Sequence, residues 1–144
     1  YAVQRRFAIV NVGLPDDGAL ATLLRRHATQ QGPDAPLAPA AANALVELFS
    51  TRSLLGVRPI GPAVALDVIR YMRRRAAGAS TLQGDALAEA LALLLLPQLE
   101  GLDHDGAVRA FEAMDAALAG WTSAEGRKEL RQRFAEVFPQ VALR

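Results

Sequence analysis

One strand-like run followed only by helical patterns is the feature that most constrains how this chain can fold. Residues 7–12 read Phe-Ala-Ile-Val-Asn-Val, between two arginines and Gly13. This apolar, β-branched run predicts a short buried strand. No second run of this kind occurs in the 144 residues. Because the backbone N–H and C=O groups of a buried strand need partners, we expect its neighbouring strands to come from a missing N-terminal segment.

The remainder of the chain predicts a mainly α fold of about six helices. Apolar residues recur there at helical spacing, and Pro or Gly interrupts the pattern. We expect the helices to begin at Pro15-Asp16-Asp17, about Ala40, Gly61-Pro62, Asp85 as a cap, about Asp103, and the capping-box sequence Thr122-Ser123-Ala124-Glu125. Residues 50–60 are expected to form a loop. Residues 91–96 are apolar all round, which predicts a central buried helix that breaks at Pro97.

Composition excludes several classes of protein. A hydrophobic content of 51% with 22% charged residues indicates a folded domain. A net charge of +1 gives no global attraction to nucleic acid or anionic membranes. The absence of cysteine excludes disulfides and thiolate metal sites, and it is compatible with a cytoplasmic protein. The longest apolar run, residues 90–97, is far shorter than the ~20 residues that span a bilayer. Because the chain begins with Tyr1, we expect a processed or truncated piece.

Two arginines, Arg5 and Arg6, directly precede the predicted strand. Arginine carries a planar, permanently charged fork that can stabilise the charge on a transferring phosphoryl group. A position on a rigid core strand suits that role. The alternative is that both arginines simply flank a buried strand and stay solvated.

A second candidate is the sequence Arg58-Pro59-Ile60-Gly61-Pro62, which leads into a predicted helix. It places a guanidinium beside a helix N-terminus, which is itself a natural site for anions. The alternative is an ordinary junction between a loop and a helix. The later sequence Leu-Pro-Gln-Leu-Glu-Gly, residues 96–101, predicts only a helix stop and a turn.

Taken together, these three segments resemble the C-terminal portion of MoxR/McrB-like AAA+ ATPases, which are of the dynein-related type. In that family an Arg-Arg-Phe segment precedes the last strand of the nucleotide-binding core. A Gly-Pro helix carries the sensor 2 region, and a Leu-Pro-Gln-Leu-Glu-Gly stretch lies late in the helical lid. The resemblance covers residues 1 to about 102.

The resemblance implies a division into three parts. Residues 1–14 would be the last core strand with the arginine-finger segment, residues 15–102 the helical lid, and residues 103–144 a C-terminal helical extension. Arg5 or Arg6 would be the catalytic arginine finger. Relatives place the sensor 2 arginine inside the helix after Gly-Pro, but residues 63–66 here are Ala-Val-Ala-Leu. Arg58 is therefore the first sensor 2 candidate and Arg70 the second, with Gly61 and Pro62 as further nucleotide-site residues.

The resemblance also implies function and partners. The expected activity is ATP hydrolysis in a cytoplasmic, bacterial ring that remodels an unidentified partner, with neighbouring subunits and an N-terminal AAA+ core as contacts. ATP would be the cofactor, with Mg²⁺ supplied by that core. The chain itself has no Walker A sequence, and Gly13 and Pro15 interrupt the one strand that leads towards acids, Asp16 and Asp17. We therefore expect it to be inactive alone.

Other candidate residues are weaker, and two further interpretations stay open. His27 and His104 fit packed or surface histidines better than metal ligands, so no metal site is expected. The cluster of Arg70, Arg73, Arg74 and Arg75 fits a solvated helix end, or a contact with nucleic acid or a partner. The main alternative to the ATPase fragment is a stand-alone helical interaction module without nucleotide chemistry. A nucleic-acid-binding bundle that uses the arginine cluster is the third.

Overall fold

The computed structural model describes residues 13–77 and 82–141. These residues form a mainly helical structure, as the sequence predicts, and no strand occurs among them. The predicted strand at residues 7–12 lies outside the described residues. Seven α-helices are present: α1 (Asp17–Thr29), α2 (Pro39–Leu48), α3 (Leu54–Val57), α4 (Pro62–Ala77), α5 (Gln83–Ala90), α6 (His104–Leu118) and α7 (Ala124–Val137).

The helix starts follow local capping chemistry, with two corrections. The Asp16 and Asp103 side chains accept hydrogen bonds from the N–H groups of Ala19 and Gly106, which caps α1 and α6. The predicted capping box of Thr122 and Glu125 does not form, because Ser123 is the cap of α7 and accepts from the Gly126 N–H. The prediction that Asp85 caps α5 is wrong, because Leu82 is the capping residue and Asp85 lies in the first turn.

One helix, α3, lies inside the stretch predicted to be a loop. At four residues it is too short to produce a periodic pattern. Its first residue, Leu54, is fully buried and anchors the turn to the core. A Cβ at Gly56 would collide with the Thr51 carbonyl oxygen, so this position also favours glycine. The helix count therefore exceeds the prediction by one.

The apolar segment after α5 is less buried than expected. α5 continues as a π-helical turn (Leu91–Leu95) and a 3₁₀ turn (Leu96–Leu99), and Pro97 lies in the first residues of the latter. Leu91 and Leu95 are fully buried, but Leu93 is 60% exposed. The prediction of a helix buried on all sides is therefore wrong. Its outer face is at the surface, and the helical path passes Pro97 by tightening to 3₁₀ geometry.

The core is one cluster that runs through the described residues from Leu20 to Val141. α6 packs on α2 and α3, and α7 packs on α5. On α4 the buried residues are Ala65, Val68, Ile69 and Met72, and Leu66 is half-buried. Helices on both sides of residue 102 share this core. The predicted division into a lid and a C-terminal extension at residue 102 stays a prediction. The two parts share a single core in the described residues.

Long-range polar contacts fix the loops to the helices. The Asp17 carboxylate accepts hydrogen bonds from the backbone N–H and the hydroxyl of Thr51, which ties the start of α1 to the turn after α2. The Asp85 carboxylate accepts from the Ser123 N–H and joins the start of α5 to the start of α7. None of the helices in residues 13–77 and 82–141 is long and apolar enough to cross a membrane.

Candidate functional site

The two arginine-finger candidates, Arg5 and Arg6, lie outside the described residues. Their proposed position before a core strand, and their role towards a neighbouring nucleotide, stay predictions. The remaining candidates lie on or beside α4, which is the longest helix among the described residues.

Arg58 lies between α3 and α4 and reaches across to a distant turn. It follows α3 in an extended conformation, and its backbone N–H donates to the Leu54 carbonyl oxygen. Its guanidinium donates from Nη1 to the carbonyl oxygen of Glu100, at 2.7 Å. That carbonyl follows a 3₁₀ turn, where helical partners run out. The hydrogen bond therefore joins the Arg-Pro-Ile-Gly-Pro and Leu-Pro-Gln-Leu-Glu-Gly segments, which are far apart in the sequence.

Gly61 and Pro62 form the N-terminal end of α4. Pro62 is the first helical residue, where its missing N–H costs no hydrogen bond. Gly61 is exposed, and a Cβ there would meet no atom within 4 Å. The first turn of α4 contains no acidic residue, so no carboxylate in that turn offsets the positive end of the helix dipole. This end of the helix is open and favourable for negative charge.

Arg70 lies further along the same helix and has its own partner. Its Nη1 donates to the Asp67 carboxylate at 2.9 Å, and both side chains are more than half exposed. At 1.5 Å per residue, Arg70 lies about 12 Å along the axis from Pro62. The structure therefore places Arg58 and Arg70 at different points, and Arg58 is the candidate beside the open helix end.

The arginine cluster at the end of α4 divides into residues with different surroundings. Arg73 turns inwards and donates hydrogen bonds to the backbone carbonyl oxygens of His27, Gln30, Asp34 and Ala35, at 2.7–3.2 Å. These carbonyls belong to the end of α1 and the connection that follows it. Arg73 is therefore a structural residue that holds this connection, which the sequence did not indicate.

Arg75 belongs to a second network on the other side of α4. Its Nε and Nη2 donate to the two carboxylate oxygens of Glu89 on α5, at 2.9 and 3.2 Å. The Tyr71 hydroxyl donates to the same carboxylate at 2.9 Å. The hydrogen bonds from Arg75 lower the pKa of Glu89, while burial and the bond to Glu89 raise the pKa of Tyr71. The network joins α4 to α5.

Several open grooves lie on the described surface, and two of them exceed 600 Å³. One, of about 610 Å³, is lined by residues of α4 and the π-helical turn: Asp67, Arg70, Tyr71, Arg74, Arg75 and Leu94. We call it the α4 groove. The other, of about 630 Å³, lies between α2 and α6 and is lined mainly by alanines, with Trp121 and Arg52 among its larger residues.

Metal-ligand geometry is not found in the part of the chain that the structure describes. No group of three or more His, Asp or Glu side chains is placed to hold a metal ion there. His27 is half-buried on α1, and His104 is exposed as the first residue of α6. Within the described residues, then, the polar chemistry is carried by arginines and their carboxylate or carbonyl partners.

No family model, curated protein or solved structure matches this chain.

Proposed function

We propose that this chain is the C-terminal part of a MoxR/McrB-like AAA+ ATPase. In this proposal residues 7–12 are the last strand of the nucleotide-binding core, and the helices that follow form the lid. The lid closes over the nucleotide of its own subunit, and Arg5 or Arg6 reaches the nucleotide of a neighbour. The ring is cytoplasmic and bacterial, and it remodels a partner as the lid rotates as a rigid body.

The observation that supports the proposal best is the hydrogen bond from Arg58 to the Glu100 carbonyl. It brings together two of the three segments on which the resemblance is based. Arg58 lies four residues before Pro62, the first residue of α4, and the first turn of that helix has no acid. Only Nη1 is used in this bond, and a guanidinium has five N–H donors, so others stay free for a phosphate oxygen. Arg58 is the sensor 2-type residue of the proposal.

The chain is not an ATPase by itself in this proposal. ATP is bound by the core that carries the Walker A loop, and the core also supplies the Mg²⁺ ligands. The 144 residues contain neither sequence. Their contribution is positive charge from arginine, placed at a subunit boundary and at the lid.

Replacement of Arg58 in the assembled ATPase tests the proposal. Arg58→Ala should lower kcat about tenfold or more, because one charge-stabilising group is lost from the transition state. Arg58→Lys should recover part of kcat. The matched control is Arg52→Ala, since Arg52 is an exposed arginine six residues earlier without an ion pair in the described structure. Unchanged kcat in a folded Arg58→Ala protein would contradict the sensor assignment.

One observation favours the alternative, a stand-alone helical interaction module. The described residues form one core from Leu20 to Val141, and this core is built without any strand from those residues. A module of this kind would fold without a nucleotide-binding core and would not alter ATP hydrolysis. A gene that encodes no Walker A sequence upstream of Tyr1 would favour this alternative.

A further inference from the structure

The α4 groove combines positive charge with apolar surface. It measures about 610 Å³, which is within the range of sites that hold a ligand or a few side chains. Arginines of α4 form one wall, and Leu94 of the π-helical turn contributes to the other. Sites with this mixture suit amphipathic ligands better than purely polar or purely apolar ones.

The charge available in the groove comes from Arg70 and Arg74. Their side chains are 61% and 76% exposed. The ion pair between Arg70 and Asp67 is exposed to solvent and therefore contributes little free energy. The nearest carboxylate oxygen to Arg74 belongs to Asp34 and is 4.0 Å away. Positions four residues apart lie on one face of a helix, so the two guanidinium groups form a pair. Arg75 forms an ion pair with Glu89 and is therefore less available to pair with a ligand.

The apolar part of the groove depends on the π-helical turn. Leu94 is half-buried and lines the groove, and Leu93 before it is 60% exposed. A single exposed leucine is ordinary, but here two consecutive leucines lie in a turn type that is rare and often found at functional sites. The Tyr71 ring adds further apolar surface beside the arginines.

We propose that the α4 groove binds an acidic, leucine-containing helical segment of a partner protein. Carboxylates at positions i and i+4 of that segment would pair with Arg70 and Arg74, and a leucine would pack beside Leu94. This is the usual manner in which an amphipathic helix occupies a groove. The charge complementarity gives orientation and an association rate that falls with salt.

The charges of the groove also argue against other occupants. A second copy of this chain related by a two-fold axis through the groove would place these arginines against their own counterparts, which is repulsive. The Tyr71 hydroxyl is bound to Glu89 and its ring is half-buried, which leaves a poor surface for base stacking.

The test is fluorescence anisotropy with a labelled amphipathic helical peptide of Glu, Ala and Leu, and with a counterpart in which Lys replaces Glu. The protein should bind the Glu peptide and not the Lys peptide. Arg70→Ala with Arg74→Ala should weaken binding about tenfold, and Leu94→Ser should weaken it as well, because Leu94 is the leucine that lines the groove. The matched control is Arg133→Ala on α7, because Arg133 is exposed to the same extent as Arg70 and has the same kind of i, i+3 carboxylate partner.

A charge reversal makes the test independent of folding defects. Arg70→Glu with Arg74→Glu should shift the preference to the Lys peptide, a change that misfolding would not produce. Failure to bind the Glu peptide at about 1 mM protein, or equal weakening by Arg133→Ala, would overturn the proposal. Tighter binding of an oligothymidine that is lost in the Arg70/Arg74 variant would also overturn it and would identify nucleic acid as the partner. The assay needs no nucleotide, so its outcome is separate from that of the ATPase proposal.

Discussion

At the scale of single residues, neighbouring arginines on α4 have different surroundings. Arg73 donates to four backbone carbonyls, Arg75 binds a carboxylate, and Arg74 projects into solvent. Consecutive helical residues point about 100° apart, so these three side chains reach three different parts of the molecule. Positive charge at the end of this helix is therefore partly structural and partly available for binding.

We expect Arg73→Ala to destabilise the protein by about 2–4 kcal/mol, because it leaves four carbonyl oxygens of the 27–35 segment without their donor. Urea unfolding monitored by circular dichroism measures this change. Arg74→Ala, one residue later and 76% exposed, is the matched control and should change stability by less than about 0.5 kcal/mol. Equal effects of the two substitutions would contradict the structural role of Arg73.

The Glu89 network predicts a pH dependence of stability. The pKa of Glu89 is lower in the folded state than its ordinary value of 4.5. The stabilisation that Glu89 contributes is therefore present above pH 4.5 and is lost as the pH falls through its folded-state pKa. The pKa of Tyr71 is raised above 10, so the contribution of that hydroxyl is lost only in strongly alkaline solution. The free energy of unfolding, measured against pH for the wild type and Glu89→Gln, should differ at pH 7 and converge below pH 4.5. A constant difference across that range would be inconsistent with the network.

Some residue roles were predictable from sequence and others were not. The helix starts near Asp16 and Asp103 were predictable, because a cap and the N–H that it accepts from are only three residues apart. The partners of Arg73 lie 38–46 residues away in the sequence, so no local pattern indicated them. The role of Arg58 at the nucleotide site stays a prediction, and its bond to the Glu100 carbonyl was not predictable because it depends on the tertiary fold. Asp85 was assigned as a cap because its carboxylate suits a helix start, whereas in the structure it binds the neighbouring helix.

At the scale of helices, two glycines allow α5 and α7 to begin close together. A Cβ at Gly84 would collide with the Trp121 carbonyl oxygen and would lie 2.6 Å from Thr122 Oγ1. A Cβ at Gly126 would lie 2.6 Å from the Asp85 carboxylate. That carboxylate joins the two helix starts by accepting a hydrogen bond from the Ser123 N–H. Neither close contact was predictable from the sequence, because the approach of another helix has no local signature.

We expect Gly84→Ala to destabilise the protein by about 2 kcal/mol or more, since the new methyl group meets backbone that cannot move without separating α5 from α7. Gly18→Ala is the matched control: Gly18 is likewise the second residue of its helix, and its nearest atom to a Cβ is 3.4 Å away. Alanine is the better helix former there and should stabilise by up to about 1 kcal/mol. Thermal unfolding of the two variants provides the measurement. A stabilising Gly84→Ala would show that the helices are further apart.

At the scale of the whole molecule, residues on both sides of residue 102 share one core. Met114 and Leu118 of α6 and Phe134 of α7 are fully buried, together with leucines of α1, α2 and α5. The sequence predicted the helical class and most helix boundaries, because amphipathic stripes report local burial. It could not predict whether the last helices form a separate unit, since a stripe does not identify the helix that covers it.

A chain that ends at Leu102 should therefore fail to unfold cooperatively, because α2, α3 and α5 would expose the leucines that α6 and α7 cover. Calorimetry of the truncated and full-length chains compares them directly. A sharp transition in the truncated chain would show instead that residues 103–144 are an appended unit on an independent lid.

The central claim, that this chain completes an AAA+ ATPase, is tested most directly by reconstitution. The chain is mixed with the separately expressed nucleotide-binding core encoded by the same gene, and ATP hydrolysis is measured. The account predicts no hydrolysis by the chain alone, turnover in the mixture, and loss of that turnover with Arg5→Ala and Arg6→Ala together. Arg25→Ala with Arg26→Ala, an exposed adjacent pair on α1, should leave turnover unchanged. A folded, nucleotide-loaded core that neither binds the chain nor gains activity from it would contradict the claim and favour the independent helical module.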